Sequence, residues 1–320
     1  MLDRRHFLGA GLFGATALTF SSVWSQSNPN FGTPSLPAVG FRRMKLGSME
    51  VISFLDGVTR RPLGEEFVTN APLEQVKALL ASQNLPTDYI DVPYTPFVII
   101  AGGRKILMDT GFADNGPPGS GKLVEHMAAA GLKPDDIDTV VLSHYHGDHI
   151  NGVRNKAGNL VFPKAKIMVP APEHAFWMDD AKMNAAPAAM KGAFMNVRRV
   201  FSTLPADQLM QFEPGREIIP GITSVAAFGH TPGHTLFTVQ SEGQRFAYVA
   251  DLTNVPSLFA RSPDWSVVFD MDRDMARATR RKLFDMIVNE KMMAGGFHFP
   301  FPAFGSIERA GNGYQFKPLA

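Results

Sequence analysis

The chain has 320 residues, 45% of them hydrophobic and 19% charged, with a formal net charge of +1. That length suits one large core or two coupled halves, and the absence of any basic tract to follow a phosphate backbone excludes nucleic acid as an expected partner. There is no cysteine, so disulfides are excluded and any metal must be held by histidine and carboxylate.

Residues 1–26 are expected to be a targeting signal. Arg4 and Arg5 precede Phe7 and Leu8, and an apolar, Gly/Ala-rich run follows over 9–20. That run is too short to span a bilayer and has the length of a signal core. The arginine pair resembles a Tat signal, which implies export of folded cargo to the periplasm or beyond. Residues 22–25 offer no clean small-residue cleavage site. Removing 26 of the 320 residues leaves 294, with a charge near zero. No other segment is long and apolar enough to enter a membrane stably. Residues 27–40, rich in Pro, Gly and Asn, are expected to form an extended arm, and 41–320 a single folded domain.

Within that domain, 41–46 and 50–57 predict a first hairpin. A helix opens at 71–74, with Pro72 in its first turn, and runs to about 81. Segments 97–100 and 105–109 predict a second hairpin, ending in Asp109-Thr110-Gly111. A helix over 122–130 stops at Gly131. The apolar run 139–142 predicts a short buried strand, and 166–169 another. Helices are predicted at 172–178 and 188–201, then a polar stretch to Gly221. Strands at 222–225 and 235–239 flank Gly229-His230-Thr231-Pro232-Gly233-His234. A buried strand over 246–250 ends at Asp251, a charged amphipathic helix covers 271–289, 292–297 leads to His298, and 313–316 closes the chain. Strands followed by helices, twice over, predict two sheets packed face to face with helices outside.

The chemistry centres on His144-Tyr145-His146-Gly147-Asp148-His149, directly after the 139–142 strand. This HxHxDH loop presents three imidazoles and a carboxylate, ligands that borderline divalent metals prefer. With nine histidines in the chain, chance would produce it in roughly 4 of 10,000 such sequences. His234, Asp251 and His298 each follow a turn or an apolar run, where strand ends gather at one edge of a layered α/β protein. Together these seven side chains make two ligand sets. His6, His126, His174 and His230 are assigned to signal, surface or turn. No side-chain nucleophile is expected, since the chain lacks both cysteine and a GxSxG sequence.

In this order, Asp109 in DTG, the 144–149 loop, His234 in GHTPGH, Asp251 and His298 resemble the metallo-β-lactamase superfamily. Within it the chain is most similar to the methyl parathion hydrolase group, through the GHTPGHT turn, the Ala-Asp-Leu at 250–252 and the segment 297–305. The resemblance implies an α/β fold, a four-layer αβ/βα sandwich of two mixed β-sheets with helices on the outer faces. It also implies two divalent metal ions, zinc foremost: His144, His146 and His234 on one, Asp148, His149 and His298 on the other, Asp251 bridging, and Asp109 orienting the ligand loop. Such a pair acidifies a shared water, with Asp251 and Asp148 as the catalytic carboxylates. The implied substrate is a small apolar ester: a phosphotriester, an aryl ester or a lactone. Trp177, Phe194 and Phe112 would wall its pocket, and the assembly would be a homodimer. Alternatives are a lactonase or β-lactamase-like hydrolase of the same superfamily, and an exported, non-catalytic metal-binding protein.

Overall fold

A computed structural model describes residues 31–319 of the protein; the expected signal, His6 and arm residues 27–30 lie outside the described residues. In chain order the elements are β1 (Phe41–Leu46), β2 (Met49–Phe54), β3 (Gly57–Pro62), α1 (Leu73–Ala81), β4 (Tyr89–Tyr94), β5 (Phe97–Ala101), β6 (Arg104–Met108), α2 (Leu123–Ala129), β7 (Thr139–Val141), α3 (Gly147–Ile150), β8 (Lys166–Pro170), α4 (Ala171–Trp177), α5 (Asp180–Ala185), α6 (Ala188–Phe201), β9 (Leu209–Phe212), β10 (Glu217–Ile219), β11 (Ile222–Ala226), β12 (Thr235–Ser241), β13 (Gln244–Tyr248), α7 (Arg273–Asn289), β14 (Met293–Gly295), β15 (Phe304–Ala310) and β16 (Gly313–Pro318).

Two seven-stranded sheets result, ordered β1-β2-β5-β6-β7-β8-β9 and β10-β11-β12-β13-β14-β15-β16. Both are mixed. β6 through β9 pair in parallel and β1, β2, β5 and β6 antiparallel. In the second sheet β13 and β14 pair in parallel and their neighbours antiparallel. Strand periodicity explains the layering. Val51, Phe97, Ile99, Ile106, Met108 and Val141 turn to the core shared with the second sheet. The residues between them, Ile52, Val98, Leu107 and Val140, turn to a separate core under α2, α4 and α6. On the far side α7 packs on β15 and β16, with Phe284 and Tyr314 ring centroids 5.0 Å apart. This is the four-layer αβ/βα sandwich.

The two-stranded sheet, an antiparallel β3–β4 pair whose strands are separated by α1, is absent from the sequence prediction. Arg60-Arg61-Pro62 and Pro93 give it the composition of a loop, and prolines are tolerated because the pair belongs to neither large sheet. The stretch read as polar up to Gly221 holds β9 and β10. Each is the last strand of its sheet, so neither needs a continuous apolar run.

Phe97 joins the two sheets. It is fully buried, and its ring centroid lies 5.8, 5.2 and 6.3 Å from those of Phe246, Tyr248 and Phe304. Phe97→Ala should destabilise the fold by about 3–5 kcal/mol. Denaturant titration will show this as a lower midpoint with an unchanged slope, and an unchanged midpoint would contradict the packing.

Candidate metal centre

The candidate ligands lie in the connections that adjoin strand ends. After β6, Asp109 takes a left-handed backbone (φ 59°), and after β13, Ala250 does the same (φ 45°) just before Asp251. Neither is glycine, so each costs of order 1–3 kcal/mol unless its surroundings enforce it. Asp109 is enforced by its side chain. Its Oδ1 accepts from the Ser143 N–H (2.8 Å), and its Oδ2 from Ser143 Oγ (2.7 Å), Tyr248 Oη (2.6 Å) and His149 Nδ1 (2.8 Å). The carboxylate therefore fixes which nitrogen of His149 carries the proton and frees Nε2 for the site.

His144 follows β7, His146 precedes α3, and Asp148 and His149 lie in its single turn. The His149 carbonyl accepts from the Thr110 N–H (2.9 Å) and Oγ1 (2.7 Å), tying that turn to the loop after β6. His298 follows β14, and its Nδ1 donates to the Pro93 carbonyl of β4 (2.8 Å). The ligand atoms form two groups, each within 4.8 Å: His144, His146, His230 and Asp251, and Asp148, His149 and His298. Asp251 joins them. Its Oδ1 is 3.1 Å from His149 Nε2, and its Oδ2 is 3.1 Å from His298 Nε2 and 3.3 Å from His230 Nε2.

His230, expected from sequence to be a turn residue, is buried inside the first group. Its Nε2 lies 2.9 Å from His146 Nδ1, and its Nδ1 donates to Asp270 Oδ1 (3.0 Å). Asp270 is itself held by Arg280 (3.1 Å). His234 stands beside this group. Its Nδ1 donates to the Ala227 carbonyl (2.9 Å), and its Nε2 accepts the Asp251 N–H (3.1 Å), so it fixes the backbone of the shared carboxylate. The repeated histidine of GHTPGH is the available signal, but spacing does not say that both copies turn inward. His126 binds the Leu55 carbonyl and His174 the Tyr145 hydroxyl, both away from the cluster.

Cations fit here on structural grounds. His144 Nε2 is buried with no hydrogen-bond partner, and His149 Nε2 and Asp251 Oδ1 have their 3.1 Å ion-pair contact but no aligned hydrogen bond, an arrangement that is costly unless a ligand satisfies it. Without cations the charge is balanced by protons. Burial opposes charging His149 and His298, but Asp251 and Asp148 overcome it and hold both pKa values up at about 10. His230 is raised to about 9 against burial by Asp251 and Asp270. Burial, reinforced by neighbouring imidazoles, pushes His146 down to about 3 and His234 to about 4, leaving them neutral and able to ligate.

The group opens into a cavity of about 290 Å³ lined by Arg61, Val92, Tyr94, Phe112, Asn254 and Phe269 above His146, Asp148, Asp251 and His298. Phe112 is thus a wall residue. Trp177 and Phe194 are not: 1% and 0% exposed, they pack with each other and Phe176 in the core beneath α4 and α6. The aromatic run 172–201 supplies packing because its apolar residues recur at helical spacing toward the first sheet. Arg61 and Tyr94 escape the sequence analysis because it does not predict the β3–β4 pair that carries them.

The family model described as the Metallo-beta-lactamase superfamily matches residues 91–290. Among curated proteins, the chain is 26% identical over 232 residues to ribonuclease TTHA0252 of Thermus thermophilus, covering 69% of this chain and 51% of that protein. It is 29% identical over 189 residues to the N-acyl homoserine lactonase AiiB of Agrobacterium fabrum, covering 51% and 63%. The chain thus spans about half the length of the ribonuclease it matches. Among solved structures, AidC, a dizinc quorum-quenching lactonase in complex with a product, superposes with a TM-score of 0.83 at 28% identity, covering 88% of this chain and 98% of that one.

Because protons hold the place of cations, loading must displace them. Zinc titration of the metal-free protein near neutral pH should release about two to three protons per chain, read as heats that vary with the buffer's ionisation enthalpy. The raised histidines also stabilise the metal-free fold below about pH 6.5, and this contribution is lost as pH rises towards 10. Buffer-independent heats, or a metal-free melting temperature that climbs from pH 6.5 to 9, would contradict the charge assignment.

Proposed function

The chain belongs to the metallo-β-lactamase superfamily, and on that premise we propose that it is a dinuclear-metal hydrolase of lactones and similar small neutral esters. The observation that carries this is Asp251, whose carboxylate meets both ligand groups on the floor of one cavity: Oδ2 faces His230 of the first group and His298 of the second, and Oδ1 faces His149 of the second. His144, His146 and Asp251, with an imidazole of the 229–234 loop, would hold one cation; Asp148, His149 and His298 would hold the other, with Asp251 shared. When bound, a divalent pair supplies Lewis acidity, polarising a carbonyl and acidifying water.

The protein's own groups do the rest. Asp251, pinned through its N–H by His234, is placed at the junction to orient an attacking water and take its proton. Asp148 has a fifth of its side chain exposed on the cavity floor and is positioned to pass a proton towards solvent. Its carboxyl is held at about 2, because His149 and His298 outweigh the opposing effect of burial. Tyr94 packs edge-on against Phe112 and His298, at 4.8 and 5.6 Å between centroids, and helps keep bulk water from the carboxylates.

The cavity favours a small uncharged substrate. Its walls are largely aromatic and aliphatic, with Arg61 over Phe269 (5.6 Å) as the cation in the lining. The likeness to a lactonase over nearly its full length supports the lactone. Phosphotriesters and aryl esters form a second class, supported by the segments that resemble methyl parathion hydrolases. We further propose that zinc is the native metal and that the first 26 residues direct export.

Two outcomes test this. Asp251→Asn should lower kcat by about 10²–10⁴-fold while the thermal melt stays cooperative; full turnover would overturn the shared role. Across a panel of acyl lactones, aryl esters and phosphotriesters, lactones should give the highest kcat/KM, chelator should abolish it and zinc restore it. Phe112→Ala should raise KM more than it changes kcat. Turnover that persists without metal would sink the proposal.

A further inference from the structure

Glu173 on α4 is a fully buried carboxylate with no cation beside it and no place in the cavity lining. Its Oε1 accepts the Tyr145 N–H (2.9 Å) and the Trp177 indole N–H (2.8 Å). Its Oε2 accepts the Thr231 hydroxyl (2.8 Å) and the Gly233 N–H (2.7 Å). Burial raises its pKa, and the four donors oppose that rise.

The positions of these donors are what matter. Tyr145 stands between His144 and His146, while Thr231 and Gly233 stand between His230 and His234. One carboxylate therefore fastens the loop after β7, in the first sheet, to the loop before β12, in the second. The approach is close: a Cβ on Gly233 would come within 2.3 Å of the Glu173 backbone nitrogen. Only an ionised carboxylate accepts four such bonds; a carboxamide of the same shape turns an N–H₂ towards two donors. The second ligand group is held differently, through Asp109 and Thr110 for His149 and the Pro93 carbonyl for His298.

We propose that Glu173 is a positioning residue for the metal held by His144, His146, Asp251 and the 229–234 loop, and that the metal held by Asp148, His149 and His298 does not depend on it. This rests on the dinuclear reading above. The carboxylate sets the spacing between imidazoles that come from two separate sheets, so its loss should loosen one site and spare the other.

Cobalt(II) titration of the metal-free protein, followed by ligand-field absorption, tests this on full-length chains. Wild type should take up two cobalt ions per chain. Glu173→Gln should weaken one of them by about 10–100-fold and leave the other nearly unchanged. Thr231→Val should shift the same site in the same direction by less. Trp177→Phe removes a donor that belongs to Glu173's own helix, so it should leave both affinities in place. If Glu173→Gln fails to fold, the contrast between Thr231→Val and Trp177→Phe decides. Two unchanged affinities in Glu173→Gln, or equal weakening of both, would overturn the inference. Wild type that binds no cobalt would overturn the dinuclear reading, and this inference with it.

Discussion

Asp251 has to satisfy two sets of imidazoles at once. One oxygen meets His149, the other meets His298 and His230, and its own N–H is taken by His234. A carboxylate this deeply buried is tolerated only if positive charge surrounds it. Protons on three histidines supply that charge in the metal-free protein, and divalent cations are the alternative. The two states compete for the same lone pairs, which couples metal affinity, proton uptake and stability.

That competition works only if the ligands are already in place, and much of the surrounding polar structure serves this end. Asp109 gathers four donors from three segments and stands in a strained backbone. Asp270 and Arg280 back His230, and Arg280 also donates to the Leu252 carbonyl beside Asp251. Glu173 ties together loops from both sheets. Such a network rigidifies a site when every member is satisfied. Here the buried atoms that make no hydrogen bond, His144 Nε2 together with the ion-paired His149 Nε2 and Asp251 Oδ1, are those that point where a cation belongs.

Much of this is legible in the sequence because it is local. The 144–149 loop announces itself by composition and spacing, and Asp251 and His298 each close an apolar strand, so strand-end logic brings them to the same edge. The two-sheet layering follows from period-2 alternation in the central strands. Other features are hidden for physical reasons. Glu173 is an ordinary acidic residue on a short helix until its four donors, drawn from three segments, are brought together. His230 and His234 are four residues apart in one turn, and only the fold shows that both rings are buried beside Asp251, one at its carboxylate and one at its N–H. Trp177 and Phe194 look like pocket walls because aromatic side chains serve cores and pockets alike. The β3–β4 pair, which carries Arg61 and Tyr94 to the cavity, has a loop's composition.

The central claim is that Asp251 is shared by two cations. Anomalous diffraction at the zinc edge from crystals of the loaded protein tests it most directly. The account predicts two peaks about 3.5–4 Å apart, one beside His144 and His146, one beside Asp148, His149 and His298, with an Asp251 oxygen between them. A single peak, or two peaks with Asp251 turned away from both, would contradict it.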